Sequence, residues 1–212
     1  MTAINILIVV AMFSFNLRKE WFLLFNMDKE MNIPTLFASL LLIFCAVLIG
    51  IVAKKIPYKS KDLAKKWRAF KWIFLFLALD EALQIHEVFI INGLKQLLPP
   101  ILNSVWVVPY GIFLVWFLLY FKQLIFSLPL KIRRLTLFSG AVYVFGALIL
   151  EIIGNYLVLK SVIRLHGISY GLITTLEEFA ELSGLIIFIY ALLLYALDYQ
   201  KQKIKINLRI KS

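Results

Sequence analysis

Five apolar stretches divide this chain of 212 residues, and they constrain its folding more than any other feature. Each is long enough to cross about 30 Å of hydrocarbon at about 1.5 Å per residue. They run from Ile33 to Ala53, Trp72 to Asn92, Ser104 to Phe121, Leu135 to Leu159 and Leu172 to Leu197. In lipid every backbone N–H and C=O must find its partner within the protein, so such runs become helices. The chain is 62% hydrophobic with a mean hydropathy of +0.90, and only 17% of its residues are charged. A soluble domain would carry about 25% charged residues. The prediction is an all-α, multi-pass helical bundle in a lipid bilayer, with residues 32–199 as its membrane domain.

The formal net charge of +11 would suggest nucleic acid in a soluble protein. Here the basic residues fall in short loops, which excludes that reading and sets an orientation instead. The segment Lys54–Lys71 holds eight Lys or Arg, the 122–134 loop four and the tail five, whereas the 93–103 and 160–171 loops hold three together. Seventeen against three, alternating from loop to loop, predicts a cell-membrane protein with its N-terminus outside. The C-terminus and the basic tail, residues 200–212, are then cytoplasmic.

Residues 1–31 are predicted to stay outside. Ile4–Phe15 is apolar but too short for a span, which suits an interfacial or re-entrant piece. A signal peptide is the rival, without the usual basic start or small-residue cleavage pattern. Trp21–Phe25, followed by Asp28, Lys29 and Glu30, reads as a surface helix. Asn32-Ile33-Pro34-Thr35 then opens the first span, with Pro34 in the first turn where a missing N–H does no harm. Cys45, the only cysteine, excludes an intrachain disulfide and reads as a small buried hydrophobe.

Against this apolar background stand seven of the twelve acidic residues: Asp80, Glu81, Glu87, Glu151, Glu177, Glu178 and Glu181, with His86 among them. No Lys or Arg shares the spans. A carboxylate in hydrocarbon costs roughly 2.5–3.5 kcal/mol on insertion scales, so protons, a cation, water or a partner must balance it. At about 1.5 Å per residue, His86, Glu87, Glu151, Glu177 and Glu178 fall at one level, about 21–24 Å from the cytoplasmic face. Asp80, Glu81 and Glu181 fall one or two turns deeper.

Helical phase adds to the convergence. Glu177, Glu178, Glu181 and Thr174 share one face. Asp80, Gln84 and Glu87 form one stripe, and Glu151 and Asn155 are four apart. Glu81 and His86 lie on either side of the Asp80 stripe, about 100° and 120° away, so both cannot face one centre. The first and third spans carry no ionisable group except the phenols of Tyr110 and Tyr120. They read as packing and lipid-facing helices, with Trp106, Tyr110, Trp116 and Tyr120 as interface belt and core aromatics. Pro109 suggests a kink in the third span that opens a lateral path to the acids.

Three known templates do not fit. A zincin pair would need His where Ile90 stands, and the ferritin-like di-iron spacing would need an acid at Leu83. The Glu-Glu-x-x-x-Arg motif of prenyl-protein proteases begins at Glu177-Glu178 but meets Leu182 at its Arg position. Ligand chemistry remains: carboxylates with one imidazole favour hard or borderline divalent ions. The expectation is a metalloenzyme acting on a lipid-like or small hydrophobic substrate from the outer leaflet. His86, Glu87, Glu151, Glu177, Glu178 and Glu181 would hold Fe, Mn or Zn as one ion or a dinuclear pair, with Asp80 and Glu81 as catalytic groups. The first alternative is a proton or divalent-cation transporter using the same acids, which with five spans and no repeat would need a homo-oligomer. The second is a membrane subunit or assembly factor, its acids paired with a partner's basic residues.

Overall fold

The computed structural model describes residues 32–55, 61–85, 106–165 and 167–211, and these form an all-α protein of five helices. They are α1 (Ile33–Lys55), α2 (Lys61–Leu83), α3 (Val107–Ser127), α4 (Leu130–Leu159) and α5 (Ile168–Lys211). The predictions for residues 1–31, and those for His86 and Glu87, fall outside the described residues.

α1 begins where the sequence places it. The Asn32 side-chain oxygen accepts hydrogen bonds from the Thr35 backbone N–H at 2.8 Å and the Thr35 hydroxyl at 2.9 Å. That satisfies one of the four otherwise unpaired donors of the first turn. α1, α3, α4 and α5 are long and apolar enough to cross a membrane. α2 differs because its first half carries Lys61, Lys65, Lys66, Arg68 and Lys71, and it ends at Leu83. Gln84 then adopts φ 56°, the left-handed conformation that commonly ends a helix. α2 therefore carries Asp80 but ends before Gln84, and the Glu87 end of the expected stripe lies outside the described residues.

Two further boundaries differ from expectation. Pro109 is the third residue of α3 and sits in its first turn, where backbone N–H groups have no intrahelical partner, so α3 continues without a kink. α5 continues past Leu197 to Lys211, because no Gly or Pro follows Gly184 to stop it. α4 holds a π-helical segment, Phe145–Leu150, between two α-helical stretches.

α1 lies against α2 and α5, and α4 lies against α5; α3 touches α2 and α4 over only a few residues. Ser39 ties α1 to α2 by donating its hydroxyl to the Ala78 carbonyl at 2.8 Å. Two glycines set the α4–α5 approach. A Cβ on Gly184 would lie 2.8 Å from the Tyr143 backbone nitrogen and 2.9 Å from the Ser139 carbonyl oxygen. A Cβ on Gly146 would lie 2.8 Å from the Glu177 carbonyl oxygen. Small residues of this kind let membrane helices pack backbone to backbone.

The packed core occupies the end of the bundle near the basic loops. Cys45 and Ile49 of α1 are fully buried there, as are Trp67 of α2 and Phe121 of α3. Phe70 stands at its middle, its ring 5.1–5.7 Å from those of Phe74, Phe117, Phe121 and Phe188. Outward faces are apolar, as at Leu40, Phe76, Leu119 and Ile186, and suit contact with lipid tails. Cations lie over aromatic rings toward both ends of the bundle: Lys71 over Trp72 at 4.9 Å, Arg133 over Phe126 at 5.1 Å and, at the opposite end, Lys160 over Tyr156 at 5.8 Å. Such pairs suit a membrane–water boundary, where charge reaches water and the ring remains in the interface.

Candidate functional site: a carboxyl-lined cavity

The acids lie at the other end of the bundle. A cavity of about 680 Å³ opens between the helices, and Asp80, Glu81, Glu151, Glu177, Glu178 and Glu181 all line it. All six expected acids among the described residues therefore meet on one space, contributed by α2, α4 and α5. The size lies within the range of about 300–1,000 Å³ common for small-molecule sites.

Each helix delivers its acids for a local reason. On α5, Thr174, Glu177, Glu178 and Glu181 recur at three- and four-residue spacing and share the cavity face. On α4 the π segment Phe145–Leu150 immediately precedes Glu151, adding one residue to a turn and so rotating the rest of the helix about its axis. The Asn155 side chain donates to the Glu151 carboxyl and to the Glu151 carbonyl, both at 3.0 Å, holding that carboxyl in place. On α2, Asp80 is 5% exposed and accepts a hydrogen bond from the Tyr110 phenol at 2.5 Å. Glu81 lines the cavity as well, although a single central stripe on α2 would have excluded it. The space is wide enough to meet two neighbouring positions of that helix.

The structure also brings in residues that sequence reasoning assigned elsewhere. Tyr110 is more than interface or core packing: it is the donor to Asp80 and links α3 to the acids. Tyr143 lies near Glu181, and Tyr170, Thr136 and Ser139 join the wall. No spacing rule could have found the Tyr110–Asp80 pair, because it joins two helices thirty residues apart. Tyr143 had a weak signal, lying two turns inward of Glu151 on the same helix. Trp116 and Tyr120, by contrast, stack at 5.2 Å on the outer side of α3 and are a little under half exposed.

The cavity has two chemically distinct ends. Carboxyl and phenol groups line the end near Asp80, Glu151 and Glu177. Phe70, Phe74, Phe117, Phe121 and Phe188 line the end that runs into the core. Among the described residues, no three Asp, Glu, His or Cys side chains are disposed to hold one metal ion. Glu151, Glu177, Glu178 and Glu181 therefore share a wall without forming a ligand set of their own.

Fold and cavity define a class: an all-α protein with four candidate membrane spans and an acid-lined internal site, which suggests a multi-pass membrane protein. The chain belongs to a family described as a domain of unknown function, DUF8692, whose profile matches residues 1–196. No curated protein and no solved structure matches it.

Proposed function

We propose that the protein is an integral membrane enzyme that works on a lipid-like or small hydrophobic substrate in the carboxyl-lined cavity. The observation that carries this reading is the cavity's composition: six carboxyls from three helices at one end and a wall of phenylalanines at the other. Binding energy would come from the apolar end and chemistry from the polar end, the usual division in a small-molecule site. Asp80 and Glu81 are the proton-transferring pair of this proposal. The Tyr110 hydroxyl orients Asp80 and offers a path for its proton. Hydrogen bonds in such a low-dielectric setting are stronger than in water and hold the groups in position before substrate arrives.

A divalent ion, Fe, Mn or Zn, belongs to the same proposal, on the charge argument that clustered carboxyls need a balancing cation or protons. Its donors would have to include His86 and Glu87, since the described carboxyls alone do not gather around one point. The topology of the proposal has five spans with the C-terminus in the cytoplasm. Loop charge and the clustering of Lys66, Lys71 and Arg133 at one end support it.

Conduction of protons or cations is the second reading, favoured by the pairing of phenols with carboxyls at Tyr110–Asp80 and Tyr143–Glu181. The phenylalanine wall between those acids and the basic end weighs against it, because it interrupts any polar path through the bundle. The deciding experiment compares membrane lipid and quinone profiles of cells lacking the protein and supplied with either the wild type or Glu81→Gln. A molecule consumed or formed only with the wild type is the expected result. Identical profiles, together with acidification of wild-type proteoliposomes under a potential, would replace the enzyme by the conductor. Elemental analysis of the purified protein settles the ion: metal-free wild type from every growth condition ends that part of the proposal.

A further inference from the structure

Resting on the reading of this cavity as a substrate site, we propose that its substrate is a single-chain molecule dissolved in the bilayer, which enters sideways from the lipid tails between α3 and α4. Two features lead there. The first is the loose seating of α3. Among the described residues it meets α2 and α4 over only a few positions. Its buried side chains are Val107 at one end and Phe121, Leu124 and Ile125 toward the other, so the stretch between them is not packed into the bundle. α4 turns its closest contacts to α5, where Ser139 and Gly146 are buried. Only Leu128 and Pro129 join α3 to α4, and beyond that turn the cavity lies between the two helices.

The second feature is that residues of both helices border the cavity and the outside at once. Leu118 of α3 and Leu137 of α4 line the cavity, yet they are 46% and 45% exposed. Lining alone does not give such exposure, since Phe121 lines the same cavity and is fully buried. Gly140, one turn further along α4, also lines it and is exposed, and among the described residues a Cβ there would meet no other group within 4 Å. At about 1.5 Å per residue these three positions stand about 10–15 Å from the Leu128–Pro129 turn, level with the middle of about 30 Å of hydrocarbon. An entrance at that depth bordered by leucines and a glycine passes an alkyl or isoprenoid chain with its small head, and opposes a bulky ionic headgroup. Inside, the arm walled by Phe70, Phe74, Phe117, Phe121 and Phe188 receives the chain, and the head is left beside the carboxyl-lined end. The volume of about 680 Å³ suits one such molecule.

The test uses full-length protein in nanodiscs of zwitterionic two-chain lipid, with radiolabelled hexadecanol as the bilayer-resident probe. Saturable binding is read after subtracting empty nanodiscs, and release of bound label is then followed after adding excess unlabelled hexadecanol. Wild type is expected to bind at one site per chain. Gly140→Trp should keep half-saturation within about twofold and slow release about tenfold, because a plug in an entrance raises the barrier to entry and exit alike. Leu119→Trp, on the outer face of α3 at 70% exposure and away from the cavity, should change neither. Phe117→Trp, which fills the apolar arm, should weaken binding itself. Leu137→Trp serves in place of Gly140→Trp if that variant does not fold. Unchanged release, or weakened binding without slower release, overturns the lateral entrance while the cavity remains a hydrophobic-substrate site. Absence of saturable binding by wild type overturns the cavity reading beneath it.

Discussion

The two halves of this bundle are built on opposite principles. Toward the basic loops, Phe70 is ringed by four other phenylalanines, Trp67 stacks on Tyr195 at 5.8 Å, and Cys45 and Ile49 are fully buried. Away from the basic loops the same helices separate around a cavity that reaches down to those rings and is lined by carboxyls at its far end. One half gains stability from close packing and dispersion. The other gives up packing and gathers groups of like charge, an arrangement that stability alone would not select. Proteins place such locally unfavourable constellations at functional sites and compensate for them elsewhere. The phenylalanine core is that compensation here: α2 and α5 contribute to both halves, and α3 adds Phe117 and Phe121.

Substitutions in the two halves should therefore move stability in different directions. The largest effect belongs to the packed half. Phe70→Ala is expected to cost about 3–5 kcal/mol, seen as a large fall in the thermal unfolding midpoint of detergent-purified protein. A midpoint within a degree or two of wild type would mean that the aromatic ring is not what holds the bundle.

Gly184→Leu should come next. Its side chain would meet the Tyr143 and Ser139 backbone at distances no side chain tolerates, forcing α4 from α5 at about 1–3 kcal/mol. Because Glu151 lies on α4 and Glu177 on α5, the same change should also abolish binding in the cavity. Stability lost with binding intact would show that the two halves are not coupled through this contact.

Tyr110→Phe sharpens the comparison at the site itself. It leaves the shape and removes one donor to Asp80, at an expected cost of about 1 kcal/mol, with a much larger relative loss in turnover or probe binding. The smallest effect on stability is predicted for Glu178→Gln, which keeps volume and relieves like-charge crowding: its unfolding midpoint should equal or exceed that of wild type. Loss of any bound metal or of turnover in that stable variant would place Glu178 among the groups that work rather than pack. A midpoint as low as that of Phe70→Ala would contradict the division between the halves.

The helices themselves were legible in the sequence for a simple reason. Apolar runs of membrane length admit one backbone solution, and end chemistry such as Asn32-Ile33-Pro34-Thr35 marks the start of α1, whereas α2 and α5 extend into the basic segments that were expected to bound them. The meeting of Glu151 with Glu177, Glu178 and Glu181 was legible too, because depth and helical phase are arithmetic on residue number. Contacts between helices are not. The Tyr110–Asp80 hydrogen bond and the nearness of Tyr143 to Glu181 depend on how far apart helices stand and how they are rotated. Backbone approaches at Gly146 and Gly184, the π segment before Glu151 and the left-handed turn at Gln84 set those distances and rotations. Sequence alone determined which helices would carry the acids and which acids share a helical face. Tertiary structure decided which of them touch, because a few ångströms between helix axes separate a shared cavity from six isolated acids.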